Sequence, residues 1–531
     1  MTRSRSRDSP FQPVHRYDLA PRDRAQTESA GVRCEGAGRN PIARNTVADI
    51  VLNVSSEANA PMVDASGQIA AEHPAAALVA SLIDAATSLD ALLVALRSHQ
   101  VAPAGVSSVL AARRPELGGT AAWRGAVERN RARGARIARA RTLTEAALAA
   151  MTNRVALPRS TLGPVWVHDV DVLVHSRGID EASRALAAAG FLDVNALLAR
   201  IGRVTPGVRR FGAIDGHDVL ASIELCTRIH PLGPSADPVV ERAVDLGSGL
   251  PRLADRDAAV RRCIKVAAAR RVTVRDALEL LALAELLPEI PTDPDVSVAF
   301  RRCAALERRL AGPGTLAEVA ARLPRSPNRR YLPMRAHRAG RALRRRLRPR
   351  RMRIAFSGLP AAERSRQAEL LAERLRRLDT AAVVVRGHHG AGPAPDTPLA
   401  AWLLRRAGRG PRGAVIVHDR GPLDALVELE LRDGAAAHPR AQGRLLRVLP
   451  QLDLTLYLQL PLDSAKRQLA DAPPGGFEKA LRLYERLAGE SPGVVAIDAE
   501  RPPSELCEEA LKRVARASAT TSRAANAARP S

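Results

Sequence analysis

The sequence predicts an α/β protein with two folded domains: an α+β domain with helical companions, followed by a parallel sheet with helices on both faces. Three observations support this fold class. The 531 residues exceed what one hydrophobic core usually supports. Residues 165 to 226 contain three runs rich in β-branched residues around one short helical pattern. From residue 352 onward, short apolar runs alternate with helical patterns, which is typical of a buried parallel sheet.

The first 74 residues are predicted to be disordered. They are rich in Ser, Arg, Pro, Gly and Asn and show no sustained periodicity, so they cannot bury enough apolar surface to offset the entropy of ordering. The basic N-terminus has no apolar segment behind it, which argues against a signal peptide. The recognisable pattern begins only after Met62, so Met1 and Met62 both stay open as the translation start.

The net charge of +25 has two explanations. A basic chain is typical of proteins that bind nucleic acid. However, lysine occurs at only four positions and arginine supplies nearly all the positive charge, as coding bias in a GC-rich genome would produce. We favour the genomic explanation, so nucleic acid is the less favoured partner.

The cysteines and the apolar segments predict a cytoplasmic protein. The five cysteines are scattered and form no C-x-x-C pair, which argues against a disulfide framework or a zinc site. The most apolar window, residues 75 to 98, is interrupted by Asp84 and Asp90, each costly at a membrane centre. We expect a buried amphipathic helix there and no membrane partner.

The N-terminal domain is predicted to span residues 75 to 330. Its elements, in order, are helices to about 151, the strand "VWVHDVDVLVHS" at 165 to 176, the helix "DEASRALAAAGF" closed by Gly190, the strands "VRRFGAID" and "VLASIEL" joined by a tight turn at Asp215-Gly216, and helices from 257 to 322.

Three carboxylates stand on these predicted strands. Asp169 and Asp171 are two apart, so both point to one face, and Glu224 lies on a later strand. Three convergent carboxylates can hold two Mg²⁺ ions for nucleotidyl transfer, whereas the plainer alternative is a solvated sheet edge. The block from about 145 to 230 resembles the nucleotidyltransferase superfamily, although its Gly-Ser loop is not matched. The resemblance implies that Asp169, Asp171 and Glu224 are metal ligands.

A basic linker, residues 331 to 351, is predicted to precede the C-terminal domain at 352 to 516, and a disordered tail to follow at 517 to 531. The elements of this domain, in order, are the strand "RIAFSG", a helix to 378, the strand "AAVVVRG", a helix near 399 to 407, the strand "GAVIVHDR", a helical region at 421 to 447, the strand "LDLTLYLQL", helices to 488, the strand "VVAID", and a last helix at 503 to 516.

The loop after the first of these strands has the outline of a phosphate-binding loop. Aligned on G-x-x-x-x-G-K-[ST], "GLPAAERS" keeps Gly358 and Ser365. Glu363 replaces the second glycine and Arg364 replaces the lysine. A strand before the loop and an amphipathic helix after it are the expected context.

Residues 352 to 516 resemble thymidylate kinase and related nucleoside-monophosphate kinases. The resemblance rests on "S-R-Q-A" at 365 to 368, "VIVHDRGPLD" at 415 to 424 and "LDLTLYLQLPLDSAKRQ" at 452 to 468. It implies ATP and Mg²⁺ as cofactors and a nucleotide or nucleoside monophosphate as partner. The implied catalytic residues are Asp419, Arg420 and Arg364; the implied cofactor-binding residues are Gly358, Glu363, Arg364, Ser365 and Arg467, with Ser365 also on the metal.

Two departures from the motif weaken the expected chemistry. The planar guanidinium of Arg364 is a poor substitute for a lysine ammonium. A carboxylate at Glu363 about 4 Å from a phosphate would cost about 4 kcal/mol, or about a thousandfold in affinity, unless it turns to solvent.

We therefore expect a nucleotide-binding transferase with weakened kinase-like phosphoryl transfer, fused to a nucleotidyltransferase-like domain. The alternative is an inactive nucleotide-binding or regulatory protein. The acceptor substrate and a homodimeric state stay open.

Overall fold

The computed structural model describes a large part of the chain after residue 67. The described residues are 68–69, 74–151, 155–157, 169–230, 234–245, 247, 249–269, 271–285, 291, 293–310, 340, 351–359, 362–386, 411, 413–433, 451–468 and 476–527.

A helical subdomain opens the described chain. Hydroxyl caps start two of its helices: Ser88 accepts the backbone N–H of Ala91, and Thr120 accepts that of Trp123, both at 3.1 Å. Its core joins the first helices to those that follow the first sheet, so segments far apart in sequence form one cluster. The helices of the N-terminal part are α1 (Pro74–Asp84), α2 (Leu89–Ser98), α3 (Ser107–Arg113), α4 (Pro115–Gly118), α5 (Ala121–Leu148), α6 (Ile179–Ala188), α7 (Asn195–Arg200), α8 (Asp237–Glu241), α9 (Asp255–Ala268), α10 (Val274–Glu285) and α11 (Pro294–Leu310).

The predicted disorder of residues 1 to 74 is wrong at its C-terminal end. Ile69 is fully buried in the helical core, and its backbone N–H donates to the carbonyl of Gly105 at 2.9 Å. Its carbonyl accepts the hydroxyl of Ser108 at 3.0 Å. A single apolar residue shows no periodicity, so a pattern argument could not detect this anchor. The other residues of that segment lie outside the described residues, apart from Gln68 and Pro74.

The first sheet contains the predicted strand pair and hairpin. Its strand order is β1-β2-β5-β4-β3, with β2 parallel to β5 and β4 antiparallel to β5. Asp215 pairs with Asp218, so Gly216 and His217 form a two-residue turn, and Gly216 has the positive φ of 56° that such turns favour. This confirms the hairpin. The strands are β1 (Val155–Ala156), β2 (Asp169–Val174), β3 (Leu192–Asp193), β4 (Val208–Asp215) and β5 (Asp218–Cys226).

The second sheet and its helices comprise β6 (Met352–Gly358), α12 (Arg364–Arg377), β7 (Ala382–Val385), β8 (Val415–His418), α13 (Pro422–Asp433), β9 (Leu454–Gln459), α14 (Leu462–Gln468), α15 (Gly476–Glu490), β10 (Val494–Asp498) and α16 (Pro503–Ala527). The sheet is parallel throughout its described pairs, with the order β10-β9-β6-β8-β7. This confirms the parallel α/β prediction. Helices cover both faces, because Leu456 of β9 packs with α12 and α16 while the neighbouring Tyr457 packs with α13 and α15.

The disordered tail predicted from residue 517 is wrong as far as Ala527, where α16 ends. Ser518 is buried, and its hydroxyl donates to the carbonyl of Val514 at 2.7 Å and lies 3.2 Å from the sulfur of Met352. Packing against β6 therefore extends a helix whose local sequence gives no strong signal.

One core cluster contains residues from both predicted domains. Leu197 and Ile201 of α7 and Val219 of β5 pack with Phe356 of β6 and Leu378 after α12. The predicted linker at 331 to 351 lies outside the described residues, except for Gly340 and Arg351. The predicted helix near 399 to 407 also lies outside them.

Within the described residues, none of the helices is both long enough and apolar enough to cross a membrane.

Candidate functional site

The loop between β6 and α12 keeps a glycine-like backbone at both motif positions. Gly358 has φ 141°, and a Cβ there would stand 2.7 Å from the carbonyl oxygen of Leu458, so only glycine fits. Glu363, where the motif has its second glycine, has φ 49° and ψ 36° in the left-handed region. Such a conformation costs a non-glycine residue about 1–2 kcal/mol. The backbone therefore keeps a glycine-type conformation at both of these positions, although the second glycine is gone.

The side chain of Glu363 points away from the loop. It is 52% exposed, and its carboxylate pairs with Arg366 at 2.9 Å on the surface of α12. The repulsion calculated for a carboxylate facing phosphate therefore does not apply. Glu363, implied as a cofactor-binding residue by the resemblance, lies outside the mouth of the loop.

Arg364 lies in a buried ion pair, which corrects its expected position. Its side chain is 3% exposed, and its Nη1 donates to Oδ1 of Asp424 at 2.5 Å. A lysine of the motif would instead extend toward the phosphates. In this conformation Arg364 is committed to Asp424 and does not offer its charge to a ligand.

Asp424 accepts five hydrogen bonds and ties the loop to its neighbours. Oδ1 also accepts the backbone N–H of Gly358 at 3.2 Å and the hydroxyl of Tyr484 at 2.8 Å. Oδ2 accepts the hydroxyl of Ser357 at 2.8 Å and the N–H of Gly421 at 2.6 Å. Burial, together with the Asp424 carboxylate, raises the pKa of Tyr484, so its hydroxyl stays a donor. Sequence reasoning missed Asp424, whose only local signal is an acid in the first turn of α13.

Ser365 and Asp419 meet at the carboxyl edge of the second sheet. The Ser365 hydroxyl donates to Oδ2 of Asp419 at 2.8 Å, although 54 residues separate them. Asp419 is buried and follows β8, which pairs in parallel with β6. A hydroxyl and a carboxylate are hard oxygen ligands of the kind that Mg²⁺ prefers. These two residues therefore fit a divalent cation next to the loop.

The other two residues implied by the kinase resemblance are placed less clearly. Arg420 donates to Glu428 at 2.5 Å, on the surface of α13. Arg467 is exposed and donates to the hydroxyl of Ser464 at 2.8 Å, one turn earlier on α14. Their described contacts do not join either residue to Ser365. Residues 469 to 475, which follow α14, lie outside those described.

His418 is a buried residue beside this site that the sequence reasoning did not use. Burial, helped by the charge of Arg353, lowers its pKa to about 4, so the ring is neutral near pH 7. Its Nε2 has no hydrogen-bond partner within the described structure. The strand-end position was visible in the sequence, but its burial was not.

The N-terminal carboxylates converge as the strand pattern predicts. In the parallel pairing of β2 and β5, Asp171 stands opposite Glu224 and Asp169 stands opposite Ser222. All four side chains project from one face, because neighbours on a strand alternate. Val170 and Val172 project from the other face into the core under α5 and α6.

Basic side chains already surround these carboxylates. Oδ2 of Asp171 accepts Nζ of Lys265 at 2.6 Å and Nη2 of Arg261 at 2.5 Å. Glu224 pairs with Arg210 at 2.5 Å. Sequence reasoning missed Arg261 and Lys265, because they are 90 and 94 residues from Asp171. It also made no use of Arg210, which stands opposite Glu224 in the hairpin.

The electrostatics differ among the three acids. Burial and the nearby Asp171 raise the pKa of Asp169 to about 6, and the same two causes raise the pKa of Glu224 to about 7. Burial also acts to raise the pKa of Asp171, but Lys265 and Arg261 outweigh it and hold that pKa well below its ordinary value. A pair of Mg²⁺ ions needs ionised carboxylates with free oxygens. The present arrangement does not fit such a pair.

Cys226 completes this face of the first sheet. Ligand atoms of Asp171, Glu224 and Cys226 lie within 4.8 Å of one another. Burial raises the pKa of the Cys226 thiol, so it stays protonated and is a weak ligand.

No protein-family model matches the chain, and no curated protein matches it.

Proposed function

We propose that this chain binds a nucleotide through the loop between β6 and α12, with Mg²⁺ on Ser365 and Asp419, and that its transfer of phosphate from ATP to a nucleoside monophosphate is weak. The observation that carries the proposal is the 2.8 Å hydrogen bond between Ser365 and Asp419. It brings a hydroxyl of the loop and a carboxylate of the neighbouring strand together at the sheet edge where parallel α/β proteins bind ligands.

The backbone of the loop supports phosphate binding. Gly358 and Glu363 both have positive φ, and α12 starts immediately afterwards. The N–H groups of the first turn of a helix and the positive end of the helix dipole favour an anion at such a point. The resemblance of "S-R-Q-A" and "VIVHDRGPLD" to thymidylate kinase agrees with this location.

The ion pair between Arg364 and Asp424 explains why transfer is weak. Breaking a buried ion pair by withdrawing one partner costs about 3–5 kcal/mol. If Arg364 must leave Asp424 to stabilise the transferring phosphoryl group, the rate falls by roughly 10²–10⁴. Nucleotide binding through backbone groups does not carry this cost.

Calorimetry on the full chain tests the proposal. We expect ATP to bind with MgCl₂ and to bind at least about tenfold more weakly with EDTA. Ser365→Ala and Asp419→Asn should abolish this difference, whereas Asp463→Asn, which changes an exposed acid on α14, should preserve it. If ATP does not bind, or binds with the same affinity to Ser365→Ala and Asp419→Asn as to wild type, the chain does not bind nucleotide at this loop.

A turnover assay separates weak transfer from none. Purified full chain is incubated with labelled ATP and a panel of nucleoside monophosphates that includes dTMP. Slow, Mg²⁺-dependent formation of a nucleoside diphosphate that stops in Asp419→Asn supports the enzyme. Binding without turnover supports the alternative, a regulatory nucleotide-binding protein.

A further inference from the structure

We propose that Lys265 and Arg261 take the place of a divalent cation among the N-terminal carboxylates, so that this site is a metal site closed by cations of the chain itself. The inference is independent of the proposed nucleotide site, since it concerns the first sheet and α9.

The carboxylate geometry is that of a cation site. Asp171 and Glu224 face each other across a parallel strand pair, and their oxygens lie within 4.8 Å of one another. Asp169 projects from the same face two residues earlier. Hard oxygen ligands at this spacing suit Mg²⁺ or Mn²⁺.

A pair of basic residues fills the place of the ion. Arg261 and Lys265 are four residues apart on α9, so they project from the same side of that helix. Both contact the same oxygen, Oδ2 of Asp171, at 2.5 and 2.6 Å. A divalent cation bound to that oxygen would stand beside two positive charges and would be repelled.

Ser222 gives a second, independent sign of a polar space in this cluster. Its side chain is fully buried, and its hydroxyl has no hydrogen-bond partner within the described structure. Ser222 stands opposite Asp169 on the face that carries the acids. A buried hydroxyl normally finds a partner, so Ser222 marks a face once suited to a polar ligand, which the contacts of Arg261 and Lys265 with Asp171 do not replace at this hydroxyl.

The balance of charge agrees with internal neutralisation. Asp171 is paired with Lys265 and Arg261, and Glu224 is paired with Arg210. Two-metal nucleotidyl transfer needs the positive charge of mobile ions at the reacting phosphate. Cations fixed on helix α9 cannot supply two exchangeable coordination positions, so this sheet does not carry that reaction.

Manganese binding to full-length variants tests the inference. All variants carry Asp419→Asn, which removes the candidate ligand of the C-terminal site, and free Mn²⁺ is measured by electron paramagnetic resonance. Lys265→Met should bind Mn²⁺ at least about tenfold more tightly than the parent. Lys265→Arg, which keeps the charge, should behave like the parent, and Glu224→Gln added to Lys265→Met should remove the gain.

Folding is controlled within the same set. Lys265 is 34% exposed and Arg261 still pairs with Asp171, so we expect native circular dichroism for Lys265→Met; Lys265→Gln is the second variant if it fails. The inference would be overturned if the parent bound Mn²⁺ as tightly as the Lys265 variants do and Glu224→Gln weakened that binding. Folded variants without any gain would overturn it as well.

Discussion

Replacing Asp424 by asparagine should destabilise the protein more than any single exposed substitution, because Asp424 neutralises a buried arginine. Both side chains of the Arg364–Asp424 pair are 3% exposed. Removing one partner of such a pair leaves an uncompensated charge and costs about 3–5 kcal/mol. Native domains have only about 5–15 kcal/mol in total, so the loss is a large fraction of the stability.

Asparagine cannot reproduce the contacts of the carboxylate. Oδ1 and Oδ2 each accept hydrogen bonds, including those from Tyr484 and from the N–H of Gly421. An asparagine keeps one acceptor oxygen and turns an NH₂ group toward the donors of the other side. At least one buried donor is then left unsatisfied, which adds about 1–3 kcal/mol.

Urea unfolding at pH 7, followed by circular dichroism, measures the effect. The matched control is Glu369→Gln, which removes an acid from α12 that pairs with Arg386 on the surface, and it should cost under about 1 kcal/mol. The double substitution Arg364→Met with Asp424→Leu should recover much of the loss, since apolar replacement of a buried pair is often neutral. A loss below about 1 kcal/mol for Asp424→Asn would show that the buried Arg364 does not depend on this carboxylate.

Three further predictions concern stability and use the same unfolding assay. Glu363→Gly should stabilise the protein by about 1 kcal/mol, because glycine adopts φ 49° without strain. The control Arg366→Ala removes only the exposed ion pair and should leave the stability nearly unchanged. A glycine variant that is less stable than wild type would show that Glu363 is not strained. Gly421→Ala should lower the free energy of unfolding by about 1–3 kcal/mol, because its Cβ would stand 2.7 Å from Cβ of Ala355. In the control Gly489→Ala on α15, the new Cβ would have nothing within 4 Å, so this variant should not be destabilised. Glu279→Gln should cost about 3 kcal/mol at pH 7, since burial of the Glu279 carboxylate is outweighed by Arg262 and Arg275, which lower its pKa. Because the pKa of Glu279 is lowered in the folded chain, the unfolded chain binds more protons in acid, and the stabilising contribution of the carboxylate is lost there. The difference in unfolding free energy between wild type and Glu279→Gln should therefore shrink below about pH 4.5. A difference that widens there would show the sign to be wrong.

The secondary structure was predictable where a short pattern determines it. Alternation in "HDVDVLV" placed Asp169 and Asp171 on one face, and the Asp215-Gly216 pair identified the hairpin. The meeting of Ser365 and Asp419 also follows from parallel strands whose carboxyl ends share an edge. In each case the information is local or follows from the sheet topology.

The condition of both candidate sites was not predictable, because it depends on partners distant in sequence. Arg364 turns inward to Asp424, 60 residues away, and Lys265 reaches Asp171 across 94 residues. Glu363 turns outward and pairs with Arg366 on the surface. A motif fixes which residues are present at a site, but long-range packing decides which of their groups remain available to a ligand.

Helix α12 shows why the two predicted domains depend on each other. It begins at Arg364, directly after the loop that follows β6, and ends against the first sheet, where Leu378 lies so close to Gly212 that a Cβ on Gly212 would stand 2.6 Å away. The next residue, Asp379, pairs with Arg210, the same arginine that neutralises Glu224. Helix α12 and the residues directly after it therefore reach from one candidate site to the other. A chain cut between the sheets would expose the apolar surface of their shared core, and Arg210 would lose the acid supplied by the C-terminal half. The state of either site is consequently a property of the whole folded unit, which is why nucleotide and metal binding have to be measured on the intact chain.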